Sequence, residues 1–131
     1  MDDFYREYIL EHYKYPRNRG TLEHPTISHE ETNFLCGDVV RLDMLVEDEV
    51  IRDIRFSGQG CAISMASASM LTEEIKGRSV EEARAFSKED LLELIGIPLD
   101  KNPMRLKCAL LSLKALKAGL YGVGTLQDED L

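Results

Sequence analysis

Ser57-Gly58-Gln59-Gly60-Cys61-Ala62-Ile63-Ser64-Met65-Ala66-Ser67-Ala68-Ser69-Met70 reads as the exit of an apolar strand through two glycines into a helix of small and apolar side chains. Gly58 and Gly60 permit torsions and a close backbone approach that a side chain would forbid. The stretch delivers a thiol to a helix start, where unpaired N–H groups and the positive end of the macrodipole favour thiolate. Thiolate is the form that binds metal or accepts sulfur. Taken alone, Cys61 fits a buried cysteine filling a helix start equally well.

Upstream, the period is two. Val40, Leu42, Met44 and Val46 point one way while Arg41, Asp43 and Glu47 point the other, which predicts a half-buried strand. Glu47-Asp48-Glu49 turns the chain, and Val50, Ile54 and Phe56 continue the apolar face on an antiparallel return. A short strand near Asn33-Phe34-Leu35 is expected at the edge. Leu22 to Thr32 shows no periodicity and reads as an irregular surface connection. Before it, Phe4, Tyr8, Ile9 and His12 fall at helical spacing, and Tyr15-Pro16-Arg17-Asn18-Arg19-Gly20 stops that helix.

Downstream, the helix from Cys61 ends at Lys76-Gly77. Ser79 with Glu82 predicts a capping box over Val80 to Phe86, and Ser87 with Asp90 repeats it on the way to Gly96. Pro98 and Asn102-Pro103 enclose a loop, and Pro103 starts the last helix. Leu106, Leu110, Leu113, Leu116 and Leu120 form its core stripe. Gln127 to Leu131 reads as a frayed acidic tail. The element order gives an α+β class.

At 131 residues, 1–131 reads as one domain, with 31% charged and 44% hydrophobic residues. No apolar run is long enough to span a bilayer, and Met1 to Arg6 has neither the basic start nor the apolar stretch of a signal peptide. A cytoplasmic location is therefore expected. There thiols stay reduced, and three cysteines cannot all pair within one chain, so metal or thiol chemistry outranks a disulfide framework. The net charge of -8 argues against general nucleic-acid binding or an anionic membrane surface.

Cys36 and Asp38 are two apart, and extended backbone points i and i+2 to the same side, so a thiolate and a carboxylate can converge on one ion. Cys61 and Cys108, each at a helix start, complete a Cys3Asp set. It suits tetrahedral zinc, or a two-iron two-sulfur cluster with one cysteine replaced by an oxygen donor. The harder donor should make a cluster easier to hand on. His24 and His29 are expected to be solvated in the connection and His12 to lie on its helix surface. Arg105 and Lys107 flank Cys108, where they would favour its thiolate and contact an anionic partner. Lys114 and Lys117 read as a solvated face, with Met65 and Met70 as core.

Cys36-Gly37-Asp38, Gly58-Gln59-Gly60-Cys61-Ala62-Ile63-Ser64 and Arg105-Leu106-Lys107-Cys108-Ala109 together resemble the three cysteine motifs of the iron-sulfur cluster scaffold family that includes IscU, SufU and the N-terminal domain of NifU. The resemblance covers nearly the whole chain, including the tyrosine-rich first helix and its Pro16-Arg17-Asn18 stop. It implies a SufE/NifU-like fold, a small antiparallel three-stranded sheet with helices packed on one face. It also implies a protein that takes persulfide sulfur from a pyridoxal-phosphate cysteine desulfurase and assembles a [2Fe-2S] cluster for recipient apoproteins. Zinc is held by the same family ligands, here Cys36, Asp38, Cys61 and Cys108. Lys107 stands where the IscU branch has a histidine, and Leu99 to Pro103 does not match that branch's chaperone-recognition stretch. Arg105 and Lys107 look like the SufU branch instead, although its longer insertion between the second and third cysteines is missing. In that branch the first cysteine takes the sulfur, so Cys36 is the expected acceptor, with Cys108 next. Two competitors are a zinc-dependent activator of the desulfurase with no cluster, and a purely structural zinc module. A thiol oxidoreductase is disfavoured by the lack of a Cys-x-x-Cys pair.

Overall fold

Val40, Leu42 and Met44 turn to one side of a strand and lose all solvent contact there, which is where the layers meet. The computed structural model describes residues 3–96 and 102–131. In chain order it contains α1 (Asp3–Lys14), β1 (Ile27–Asn33), β2 (Asp38–Glu47), β3 (Val50–Gln59), α2 (Ala62–Ile75), α3 (Val80–Ala85), α4 (Lys88–Ile95), α5 (Pro103–Tyr121) and a closing 3-10 turn (Asp128–Asp130). The sheet is three-stranded and antiparallel, in the order β1-β2-β3. α5 packs on β1 and β2, α2 packs on β3, and α1 lies against α2. The expected α+β class is therefore what the chain adopts. The loop holding Pro98 and Lys101 and the side chain of Phe4 lie outside the described residues.

The β2–β3 hairpin closes through Asp48 and Glu49, both at positive φ, the torsions a two-residue hairpin turn demands. A register shift between Leu45 and Val46 pairs Val46 with Ile51. The extra residue reverses the side-chain parity of β3, so Ile51 rather than the expected Val50 is fully buried beside Ile54 and Phe56. Complete burial of each such side chain contributes about 1.5–3 kcal/mol.

One expectation fails at the edge of the sheet. Residues 27–33, read as irregular, form β1, and the strand expected near Asn33-Phe34-Leu35 stops at Asn33. The inward positions of β1 are Ile27, His29, Glu31 and Asn33, so the alternation exists with a single apolar residue to signal it. His29 is largely covered rather than solvated, with its Cβ close under Gly119 of α5. Phe34 and Leu35 stand in the following turn, 92% and 67% exposed.

Three further corrections share a cause, burial by elements distant in sequence. His12 is buried, not on the surface. Its Nδ1 lies 2.8 Å from Ser69 Oγ, which also accepts the Arg17 N–H at 2.8 Å. Lys117 is buried and its Nζ donates to the Leu131 carbonyl at 3.2 Å. The C-terminal residues are not frayed: Leu131 is buried, and its carbonyl also accepts the Lys88 N–H at 3.1 Å. Both predicted capping boxes form, at Ser79–Glu82 and Ser87–Asp90. Met65 and Met70 lie in the core as expected. Among the described residues no helix is long and apolar enough to cross a membrane.

Candidate metal and sulfur site

The site forms where the β1–β2 turn, the β3–α2 junction and the start of α5 meet. Asn33 closes the turn: its carbonyl accepts the Gly37 N–H at 2.7 Å and its side-chain oxygen accepts the Leu35 N–H at 3.1 Å. Gly37 takes a positive φ of 76°, and Cys36 is left exposed at the tip. Asp38 follows as the first residue of β2 and is buried.

Cys61 is the N-cap of α2 in extended conformation and is exposed. The two preceding glycines have separate reasons. A Cβ on Gly58, where φ is +128°, would sit 2.0 Å from the Val39 carbonyl oxygen, and one on Gly60 would sit 2.8 Å from Asp38 Cγ. The first lets two strands approach, and the second leaves space for the carboxylate. Cys108 lies in the second turn of α5, whose start is fixed by Pro103 and by Asn102 Oδ1 accepting the Arg105 N–H at 3.2 Å.

The ligand atoms of Cys36, Asp38 and Cys108 lie within 4.8 Å of one another, and the two sulfurs are 3.7 Å apart. Cys61 is outside that triangle but lines the same cavity of about 670 Å³, which Ile9 and Leu10 of α1 and Met104 and Arg105 of α5 help to wall. Ser64, one turn into α2, binds the cluster together. Its Oγ donates to Asp38 Oδ2 at 2.6 Å, approaches the Cys108 carbonyl at 3.2 Å and lies 3.6 Å from Cys61 Sγ.

Burial alone would raise the Asp38 pKa, but hydrogen bonds from Ser64, Cys36 and Cys61 outweigh it and hold the carboxyl below its ordinary range. Cys108 goes the other way. Burial first, then the neighbouring Cys36 and Cys61 sulfurs, push its thiol well above the usual cysteine value.

This donor set fits a metal. Two thiolates bonded to zinc at about 2.3 Å in tetrahedral geometry stand roughly 3.8 Å apart, close to the observed separation of Cys36 and Cys108. Gly60 keeps the carboxylate position open, and a cation would relieve the crowding that keeps Cys108 protonated.

The structure separates Arg105 from Lys107. Arg105 reaches the cavity, whereas Lys107 donates to Asp128 at 3.3 Å, and Lys114 pairs with the same carboxylate at 2.9 Å. Neighbours on a helix point about 100° apart, so Lys107 does not flank the thiol as expected. Sequence reasoning missed Ser64 and Asn33. Their signals were positional, three residues after Cys61 and three before Cys36, with no chemistry that set them apart from a core serine or a turn asparagine.

Three sulfurs lining one open cavity, with a buried carboxylate within 4.8 Å of two of them and a sheet covered by helices beneath, make an arrangement able to hold a thiolate-bound metal. The chain belongs to the NifU-like N terminal domain family, whose model matches residues 4–125. It is 42% identical over 135 residues to the zinc-dependent sulfurtransferase SufU of Bacillus subtilis (strain 168), covering 92% of this chain and 91% of that one. It is 35% identical over 123 residues to the iron-sulfur cluster assembly scaffold protein IscU of Escherichia coli (strain K12), covering 88% and 91%. The crystal structure of a putative iron-sulfur cluster assembly scaffold protein for the SUF system from Fervidobacterium islandicum AW-1 superposes with a TM-score of 0.78 at 30% identity, over 87% of this chain and 94% of that chain.

Proposed function

We propose that the chain is a sulfur acceptor and iron-sulfur scaffold, a carrier rather than an enzyme. It takes persulfide sulfur from a pyridoxal-phosphate cysteine desulfurase and assembles a labile [2Fe-2S] cluster for recipient apoproteins at Cys36, Asp38, Cys61 and Cys108. The observation that carries this reading is a single sulfur, Cys36 Sγ, which is exposed on a turn and yet lies 3.7 Å from a buried thiol of the same site. A donor can reach it without the core opening. Family membership supports the reading, as do the SufU and IscU relatives.

In the transfer, the Cys36 thiolate attacks the outer sulfur of the desulfurase persulfide. A new S–S bond forms on Cys36, the old one breaks, and the desulfurase cysteine leaves as thiolate, with no net oxidation. Cys108 is a poorer acceptor from an outside donor, since it is buried. Bound zinc would keep the cysteines as thiolates and shield them from oxidation. Asp38 is the oxygen donor that lets cargo leave. Arg105, exposed on the cavity wall, suits an anionic partner surface. The chemistry requires reduced thiols, which suits a cytoplasmic location.

The test uses the chain with a cysteine desulfurase and sulfur-labelled cysteine. Label should appear on Cys36 in the native chain and be lost in Cys36→Ser. Unchanged labelling of that variant would overturn the assignment. Anaerobic reconstitution with iron and sulfide, followed by visible absorption, separates a scaffold from a zinc-dependent activator that never holds a cluster. A purely structural zinc site should be closed, and the exposed Cys36 and Cys61 argue against it.

A further inference from the structure

A persulfide delivers sulfur at the wrong oxidation level for a cluster. The outer atom is formally zero-valent, whereas the bridging atoms of [2Fe-2S] are sulfide, so two electrons must come from somewhere. The geometry around Cys36 offers a source. Cys108 Sγ is 3.7 Å away, at van der Waals contact, and a disulfide needs about 2.05 Å. Cys36 rides on an exposed turn, and nothing lies within 4 Å of a Cβ placed on the adjacent Gly37, so the turn is not held in place by packing on that side. Asn33 ties the two sulfurs together: its backbone carbonyl and side-chain oxygen hold the Cys36 turn, and its Nδ2 points at Cys108 Sγ at 3.9 Å. Cys61 lies outside this close set and has Ser64 Oγ beside its sulfur.

We propose that Cys108 is a resolving thiol: it attacks Cys36 Sγ of the Cys36 persulfide, expels the outer sulfur as hydrogen sulfide, and leaves a Cys36–Cys108 disulfide. This rests on the sulfur-acceptor reading. One S–S bond forms between the two cysteines, and the bond from Cys36 to the outer sulfur breaks with its electron pair going to that sulfur. The thiol proton of Cys108 and the persulfide proton depart with it. The outer sulfur gains two electrons and the cysteine pair loses two, so the step needs no outside reductant. It does fix what comes next: a dithiol reductant must exchange with the disulfide, becoming a disulfide itself, before another sulfur is accepted. The step runs on metal-free thiols.

The full chain, stripped of metal by chelation, is loaded anaerobically in two ways, with a cysteine desulfurase plus cysteine and with sodium polysulfide, then desalted. The expected result is first-order release of one sulfide per persulfide at a rate independent of protein concentration. The product should be lighter than the reduced chain by two hydrogens, with a Cys36–Cys108 cross-linked peptide. Cys108→Ser should retain its persulfide, with release slowed about ten-fold or more. A stable persulfide on the native chain overturns the proposal. So does equal release from Cys108→Ser, a Cys36–Cys61 cross-link, or a disulfide between chains. If Cys108→Ser misfolds, the peptide map of the native chain decides alone. Failure of the desulfurase to load, with resolution after polysulfide, sinks the acceptor reading and leaves this step standing. Loading without resolution does the reverse.

Discussion

Asp38 stays ionised while buried because Ser64, Cys36 and Cys61 donate hydrogen bonds to it, Ser64 foremost. A carboxylate bonds iron or zinc less softly than thiolate, so as a ligand Asp38 would be the one most readily exchanged. Asp38→Ala should slow release of metal or cluster to an acceptor by about ten-fold, the scale on which single groups act at metal sites. Equal transfer rates for the two proteins would remove Asp38 from the mechanism. Ser64→Ala leaves the carboxylate buried with one hydrogen bond fewer, a loss of about 1–3 kcal/mol. Denaturant unfolding of the metal-free protein measures it, and an unchanged midpoint would mean that Cys61 and Cys36 suffice. Asp38 was legible in the sequence from its place two residues after Cys36, although the two converge through a turn with Gly37 at positive φ and not, as expected, on one face of an extended strand. Ser64 was not, because a hydroxyl in a run of alanine and serine carries the same pattern whether it packs or donates.

At the scale of elements, the glycines before α2 had a readable role and β1 did not. A Cβ on Gly60 meets Asp38 Cγ at 2.8 Å with no positive φ to strain the backbone. Gly60→Ala should therefore fold, with zinc affinity reduced about ten-fold as the carboxylate is displaced. Titration against a competing chelator reads this, and native affinity would show that Asp38 moves aside freely. β1 hid because, of its inward positions, only Ile27 is apolar and the rest are His29, Glu31 and Asn33. Glu31 finds Thr125 Oγ1 at 2.6 Å, from a segment 94 residues away. The C-terminal turn is likewise an element made by its surroundings, since Asp128 bridges Lys107 and Lys114 and Leu131 is buried. Leu131→Ala should lower stability by about 1.5–3 kcal/mol. A frayed end would show no change in thermal melting.

Across the whole molecule, α1 is fastened to α2 through a buried histidine, and that makes stability depend on pH. Burial is the main cause that lowers the His12 pKa below its ordinary value, with Arg17 adding to it. Ser69 Oγ, which accepts the Arg17 N–H, lies 2.8 Å from His12 Nδ1 and holds the ring in its buried position. The unfolded chain therefore binds a proton at His12 before the folded one does. Stability from this group is complete above the unfolded pKa of about 6.5 and is lost as the pH falls through that value toward the lower folded one. Unfolding midpoints across that range should fall for the native chain and stay flatter for His12→Gln. Parallel curves would show that His12 is not the titrating group.

The same comparison separates local from long-range information. Hairpin, caps, helix starts and the three cysteine motifs depend on residues a few positions apart, and composition, period and spacing set them before the chain collapses. The sequence by itself determined an α+β chain with three thiols and a carboxylate at strand and helix starts. Only the tertiary structure decided that His12 and Lys117 are inside, that Lys107 serves Asp128, and that Cys36 stands in sulfur–sulfur contact with Cys108 while Cys61 lines the same cavity. Those facts depend on which faces meet after packing, and burial between segments dozens of residues apart leaves no local trace in a polar side chain.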